Sequence, residues 1–219
     1  MTLTKDSIYE HLHPLTTVMK AHFVDYFTGD KLNTYKWSYQ IPSGVSGTVV
    51  SEGMSNSIDG GYQILMTNGH YGTYDFDNSR QFNPAGAVII GVCKLYNGNG
   101  IFGIGFRGDG AGARNRSTTK LLMEGSNGYG NIRGYTADAS GESAHDTGMS
   151  ADGNWHSLKI EMTPTITTFS VDGILSGNGY DASNGSENEL DEKCQPMIYA
   201  SASGSGSGGN IRYLEAYNT

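Results

Sequence analysis

Charge is scarce in this sequence, and positive charge is scarcest. Only 16% of its 219 residues are Asp, Glu, Lys or Arg, against roughly 25% in an ordinary soluble domain. The 14 basic residues face 22 acidic ones, a formal net charge of −8. That balance excludes general binding to nucleic-acid phosphates, which needs a basic patch, and adhesion to an anionic membrane. No apolar run approaches the ~18–20 residues of a membrane-crossing helix. The opening MTLTKDSIYEHLHPLTTV lacks the basic-then-apolar pattern of a secretory signal. Two cysteines, Cys93 and Cys194, are too few for a disulfide scaffold. Cys93 lies in an apolar run and reads as a small core residue, with pairing between the two left open.

What is abundant is glycine. The chain has 32, about twice ordinary usage, with only 5 prolines. Strong helix formers are few. The 14 Tyr, 7 Phe and 2 Trp supply a core and exclude simple disorder. Gly-rich turns between short aromatic and β-branched runs predict an all-β domain.

Individual segments fit that class. AVIIGVCKL (87–95) is almost continuously apolar, as in a central strand covered on both faces. It predicts burial of Val88, Ile90 and Val92. In IFGIGF (101–106), Phe102, Ile104 and Phe106 share one face, leaving Ile101, Gly103 and Gly105 on the other. That second face is nearly bare, so a ligand or a neighbouring loop must approach the backbone closely. HSLKIEM (156–162) turns Leu158, Ile160 and Met162 inward. TTFSVDG (167–173) does the same with Phe169 and Val171 and ends in Asp172-Gly173, a tight-hairpin dipeptide. NGYDASNGSENELDE (178–192) reads as an acidic surface loop, and SGSGSGG (203–209) as a flexible turn.

Residues 1–21 stand apart. Ser7 and Glu10 fit a capping box, and Ile8, Leu12, Leu15 and Met19 follow helical spacing that Pro14 interrupts. The expected organisation is a helical docking segment over 1–21 followed by one β-sandwich over 22–219. The four apolar residues either cap an open edge of that sandwich or dock on a partner or a second copy.

The stretch GNWHSLKIEMTPTITTFSVDGIL (153–175) resembles the concanavalin A-like lectin and glucanase superfamily, including laminin-G-like modules. There a Trp-His opens one strand and the next ends in Val-Asp-Gly; here these are Trp155, His156, Val171, Asp172 and Gly173. VDYFTGDKLNTYKW (24–37) is similar to the family's opening strand, and IRYLEAYN (211–218) to its closing strand. The resemblance implies a jelly-roll β-sandwich of two antiparallel sheets. It says little of function, because this architecture carries lectins, hydrolases, lyases and structural modules.

Retaining glucanases of this superfamily need two carboxylates roughly 5 Å apart, supplied by Glu-x-Asp-x-Glu or Glu-x-Asp-x-x-Glu along one strand. The matching stretch, TTKLLMEG (118–125), holds a single acid, Glu124. The only Glu-x-Asp, Glu189-Leu190-Asp191, lies in the polar loop. The Gln-x-His of related lyases is absent. The expectation is therefore a protein that is not an enzyme and leaves laminarin, agarose, alginate and carrageenan uncut. Arg212 stands where the resemblance places a calcium-binding Asp, so no cofactor is expected, and His11-x-His13 reads as surface. The acidic loops around Asp172, Asp181 and Asp191 keep calcium open.

Two functional classes fit these residues. One is a non-enzymatic lectin-like module on a virion or another extracellular assembly (a decoration, tail or fibre component). It would form a homo-oligomer or join other structural subunits, and touch glycans. The other is a free carbohydrate-binding module, or a polysaccharide-degrading hydrolase or lyase of the same fold. Expected sugar contacts are Tyr71, Tyr74, Asp75, Arg107, Asn127, Tyr129 and Tyr135, since aromatic faces beside polar groups suit sugars. A chain beginning at Ala21 tests the first segment. If Ile8, Leu12, Leu15 and Met19 dock on a partner, truncation leaves the thermal midpoint unchanged and abolishes assembly by sedimentation. If truncation instead unfolds a protein that is monomeric at full length, they cap the core.

Overall fold

The computed structural model describes residues 22–28, 31–33, 36–40, 49–53, 61–66, 70–76, 82–83, 85–95, 100–108, 121–126, 130–138, 141–163, 166–181, 194–202 and 207–219. The expected helical segment 1–21, with Ile8, Leu12, Leu15 and Met19, lies outside them. Among the described residues every regular element is a β-strand.

The strands form two sheets. The eight-stranded sheet runs β13 (Ile174–Asp181), β12 (Ile166–Val171), β11 (Trp155–Met162), β6 (Ala87–Leu95), β15 (Ser207–Asn218), β4 (Tyr62–Met66) and β3 (Val49–Gly53). Its eighth strand, β1 (His22–Asp25), also pairs with β15. The seven-stranded sheet runs β10 (Gly141–Ser150), β9 (Asn131–Asp138), β8 (Leu121–Ser126), β7 (Gly100–Gly108), β14 (Cys194–Ala202), β5 (His70–Phe76) and β2 (Trp37–Gln40). Neighbours in both sheets are antiparallel. The fold is the all-β jelly-roll sandwich that the sequence predicts.

Period-two alternation decides which side chains enter the core. On β11, His156, Leu158, Ile160 and Met162 are buried, while Ser157, Lys159 and Glu161 stay half-exposed. Phe169 and Val171 from β12 join them, as do Phe102, Ile104 and Phe106 from β7. The sheets interlock where one offers a glycine to a bulky residue of the other. A Cβ on Gly91 would meet Ile104, one on Gly209 would meet Phe102, and one on Gly134 would meet the Phe169 ring. One expectation needs correcting. β6 is covered on both faces only at its start: Val88, Ile89, Gly91 and Cys93 are buried, but Ile90 and Val92 are only half-buried. The two half-buried residues stand on the sheet's outer face.

The two recognisable segments owe their shape to carboxylates. In the opening segment, Asp25 accepts the Trp37 indole N–H through Oδ2 (2.8 Å) and the Phe27 backbone N–H through Oδ1 (2.9 Å). Phe23 meets the Trp37 ring edge-on at 5.2 Å. In the other, Val171 pairs with Ile174 across a two-residue turn. Asp172 (φ 52°) and Gly173 (φ 79°) both adopt the left-handed conformation that such a turn requires. Asp172 then reaches back to β11. Its Oδ1 accepts the Ser157 N–H and its Oδ2 bonds His156 Nδ1, both at 2.8 Å. The other ring nitrogen, Nε2, bonds Asp152 Oδ1 at 3.0 Å.

Both cysteines are free and buried. Burial pushes the Cys93 thiol well up and that of Cys194 to about 12, so neither is a nucleophile at neutral pH.

The His156 clamp generates a pH dependence. Burial alone would lower the imidazole pKa, but the hydrogen bonds to Asp172 and then Asp152 outweigh it and raise it above 6.5. The clamp's stabilisation is therefore complete below the unfolded value and is lost as pH rises through the folded one. His156→Gln is expected to lose roughly 3–6 °C of thermal midpoint near pH 6. The gap should narrow toward alkaline pH; a gap that stays constant would remove the imidazolium from this account. Separately, Gly134→Ala should cost about 1–3 kcal/mol in denaturant unfolding, because its methyl group enters the space of the Phe169 ring.

Candidate functional site

The outer face of the seven-stranded sheet is built by the residues that alternate with its core. β7 buries Phe102, Ile104 and Phe106 inward, so Ile101, Gly103 and Gly105 face out. β14 pairs with it in register, placing Met197 opposite Gly105 and Tyr199 opposite Gly103. Met197 and Tyr199 are both 0% exposed and form a small second cluster with Tyr135 and Ile101. The bare glycine face is thus flanked by large side chains of the protein's own neighbouring strands.

Register then draws one row across this face. From Tyr199 it passes through Gly103 on β7, Glu124 on β8, Arg133 on β9 and Asp146 on β10. On the far side of Tyr199 it continues to Thr73 and Gln40. A carboxylate position, a guanidinium and a second carboxylate therefore stand side by side on three adjacent strands. Asp146 is held firmly. Asn131 Nδ2 donates to both its oxygens (3.0 and 3.2 Å), and the Gly148 N–H donates to Oδ1 at 2.8 Å. Beside it, His145 points inward, stacks on Phe169 at 5.9 Å and bonds Thr136 Oγ1 at 2.9 Å. Burial lowers its pKa.

The expected sugar contacts fall as follows. Tyr135 is buried in the outer cluster, one register row from Glu124. Asp75 pairs with Met197 and Tyr71 with Ser201, both at outer-row positions, whereas Tyr74 pairs with Ile198 in the row of Ile104. Arg107 pairs with Gln195 toward the end of β7. Asn127 and Tyr129 lie outside the described residues. Arg212 is exposed on the opposite sheet, its guanidinium stacked 3.9 Å from the Trp155 ring centre. Among the described residues, no three His, Cys, Asp or Glu side chains converge as metal ligands. Sequence reasoning missed Asp146 and Arg133 as partners of Glu124. The only available signal lay in the pairing of β8, β9 and β10.

No protein-family model and no curated protein matches the chain; the likeness to known proteins is structural. A non-specific endo-β-1,3(4)-glucanase of glycoside hydrolase family 16 superposes with TM-score 0.65 at 15% identity, over 90% of this chain and 89% of that one. The laminarinase of Flavobacterium sp. UMI-01 gives 0.65 at 15%, over 90% and 99%. That of Rhodothermus marinus gives 0.65 at 13%, over 91% and 98%. At these identities the likeness establishes the concanavalin A-like jelly roll. It also corrects the expectation that the chain is not an enzyme, because these neighbours are polysaccharide hydrolases. That expectation looked for paired acids along a single strand, whereas Glu124 and Asp146 stand in one register row two strands apart.

Proposed function

We propose that the chain is a glycoside hydrolase that cuts β-linked glucan internally on the outer face of the seven-stranded sheet, with Glu124 and Asp146 as its two carboxylates. The observation that carries this reading is the register row Glu124–Arg133–Asp146. The glucanase and laminarinase neighbours support the choice of substrate.

Cleaving a glycosidic bond takes an acid that protonates the leaving oxygen and a second carboxylate on the other side of the sugar. Two strand spacings separate the Glu124 and Asp146 backbones, about 10 Å at ~4.8 Å per spacing. With Arg133 on the strand between them, the two residues stand on either side of a guanidinium rather than side by side at the roughly 5 Å of a double-displacement pair. That arrangement suits a pair about 6.5–9.5 Å apart with a water between one carboxylate and the sugar, which inverts the anomeric centre. Asp146 accepts three hydrogen bonds and donates none, which fits the base that activates this water. Glu124 is then the acid. Arg133, between them, offers positive charge and hydrogen-bond donors to substrate hydroxyls.

Release of reducing ends from laminarin and mixed-linkage β-glucan tests the reading. Glu124→Gln and Asp146→Asn should each lower the rate by about a hundredfold or more without changing the circular dichroism spectrum. Proton NMR of the first product should show the inverted anomer. Absence of any cleavage, or turnover undiminished in Glu124→Gln, would overturn it.

A further inference from the structure

The outer face of the other sheet holds an arrangement that the proposed chemistry does not use. Tyr26 follows β1 directly and is 63% exposed, an unusual position for a large ring. Its placement is fixed from below. Asp25 accepts the Phe27 N–H, and Phe27 takes a left-handed φ of 48°, uncommon for a bulky residue. Strain of this kind persists only where the surroundings over-determine it. Here the surroundings are the buried contacts of Phe27 with Trp37 and Tyr62. The turn between them presents Tyr26 outward.

Pairing of β1 with β15 builds the rest. Asp25 opposes Leu214, Val24 opposes Glu215 and His22 opposes Tyr217. Tyr26 accordingly meets Tyr213, ring centres 5.4 Å apart and tilted by 49°. Glu215 Oε2 accepts the Tyr213 O–H at 2.7 Å, and Oε1 bonds His22 Nε2 at 2.9 Å. The bond from Tyr213, aided by His22, holds the Glu215 carboxyl below its usual range. Burial and that same bond push the Tyr213 phenol up, so it remains a neutral donor. Three tyrosines, an oriented carboxylate and an imidazole thus share one patch of the outer face.

We infer that this patch, centred on Tyr26, Tyr213 and Glu215, is a second glycan-binding site that holds a neutral polysaccharide chain on the face opposite the reaction. A pyranose has an apolar C–H face that stacks on an aromatic ring, and a rim of hydroxyls that bond carboxylate and imidazole. Tyr26 supplies the ring, and Glu215 with His22 supplies the polar partners one row away. A protein partner fits worse. A stable interface needs roughly 800 Å² per side with an apolar centre, whereas the apolar surface beside this patch is one strand wide: the half-buried Ile90 and Val92 of β6 give way on β11 to Ser157 and the ion-paired Lys159 and Glu161. A cation fits worse too, because Glu215 is the patch's one carboxylate among the described residues: each oxygen already holds one bond, which leaves an acceptor site for a hydroxyl but too few oxygens to surround a cation.

The choice of glucan as ligand rests on the hydrolase reading; the site does not. Affinity electrophoresis of the full chain in gels containing laminarin or mixed-linkage β-glucan separates the two. Wild type and Glu124→Gln should be retarded equally. Tyr26→Ala should bind about tenfold more weakly, the scale of one lost stacking contact, while Tyr26→Phe retains binding. Cleavage of a short soluble oligosaccharide should be the same in Tyr26→Ala as in wild type. Wild type unretarded by either polymer, or Tyr26→Ala retarded as strongly as wild type, overturns the inference. Retardation reads binding alone, so it tests the patch whether or not the chain cleaves glucan.

Discussion

Three side chains entering three glycine positions set the relation between the two sheets. Phe102 and Ile104 of β7 reach Gly209 and Gly91 of the eight-stranded sheet, and Phe169 of β12 reaches Gly134 in return. Because the insertions run in both directions, neither sheet can slide over the other without driving a ring into backbone. Their effect extends beyond the core. A one-residue slip would turn every side chain of a strand to the opposite face. The register that seats Phe102 and Ile104 inside is therefore the register that presents Gly103 outside, with Tyr199 and Glu124 on either side of it. Core packing thus fixes which residues stand on the outer face of the seven-stranded sheet, and Gly91, Gly134 and Gly209 serve that packing.

Residues that made the sequence recognisable turn out to serve the fold. Asp172 closes a hairpin in a left-handed conformation and ties it to β11 through His156 and the Ser157 N–H. Trp155 lies beneath Arg212, beside Gly61, whose missing side chain makes room for the indole. Asp25 orients Trp37. Each is a local device that neutralises a buried polar group or starts a strand, and none belongs to the row that holds Glu124, Arg133 and Asp146. Recognition through such residues identifies an architecture and leaves its chemistry open.

How far the sequence could be read followed from how each strand is covered. HSLKIEM and TTFSVDG alternate because one face is packed and the other is not, whereas IFGIGF alternates bulky inward residues with buried outward glycines; the inward residues of all three were legible. AVIIGVCKL misled in part: Ile90 and Val92 are apolar yet stand on an outer face. β10 was illegible for the opposite reason. GESAHDTGMS is an edge strand whose described side chains are exposed or half-exposed. One of its inward contacts is an imidazole stacked on Phe169 rather than an aliphatic residue, so no period-two hydrophobic signal exists. Asp146 lies on that strand. Pairing it with Glu124 requires the register of three strands, which is information about contacts distant in sequence.

The edge itself explains how an exposed Asp146 can be held in place. Edge strands invite pairing with other chains, and bulges are one means of preventing it. β10 shifts register between Asp146 and Ser150, with Gly148 at φ 71°. That shift turns the Gly148 N–H onto the Asp146 carboxylate instead of leaving it on the open edge. The backbone carbonyl of Asp146 accepts the Ser176 hydroxyl of β13 at 3.3 Å, across the gap between the sheets. One irregularity thus blunts the edge, orients a carboxylate and stitches the open side of the sandwich. Displacing β13 would move that carboxylate, so the outer face of the seven-stranded sheet depends on contacts made by the sheet behind it.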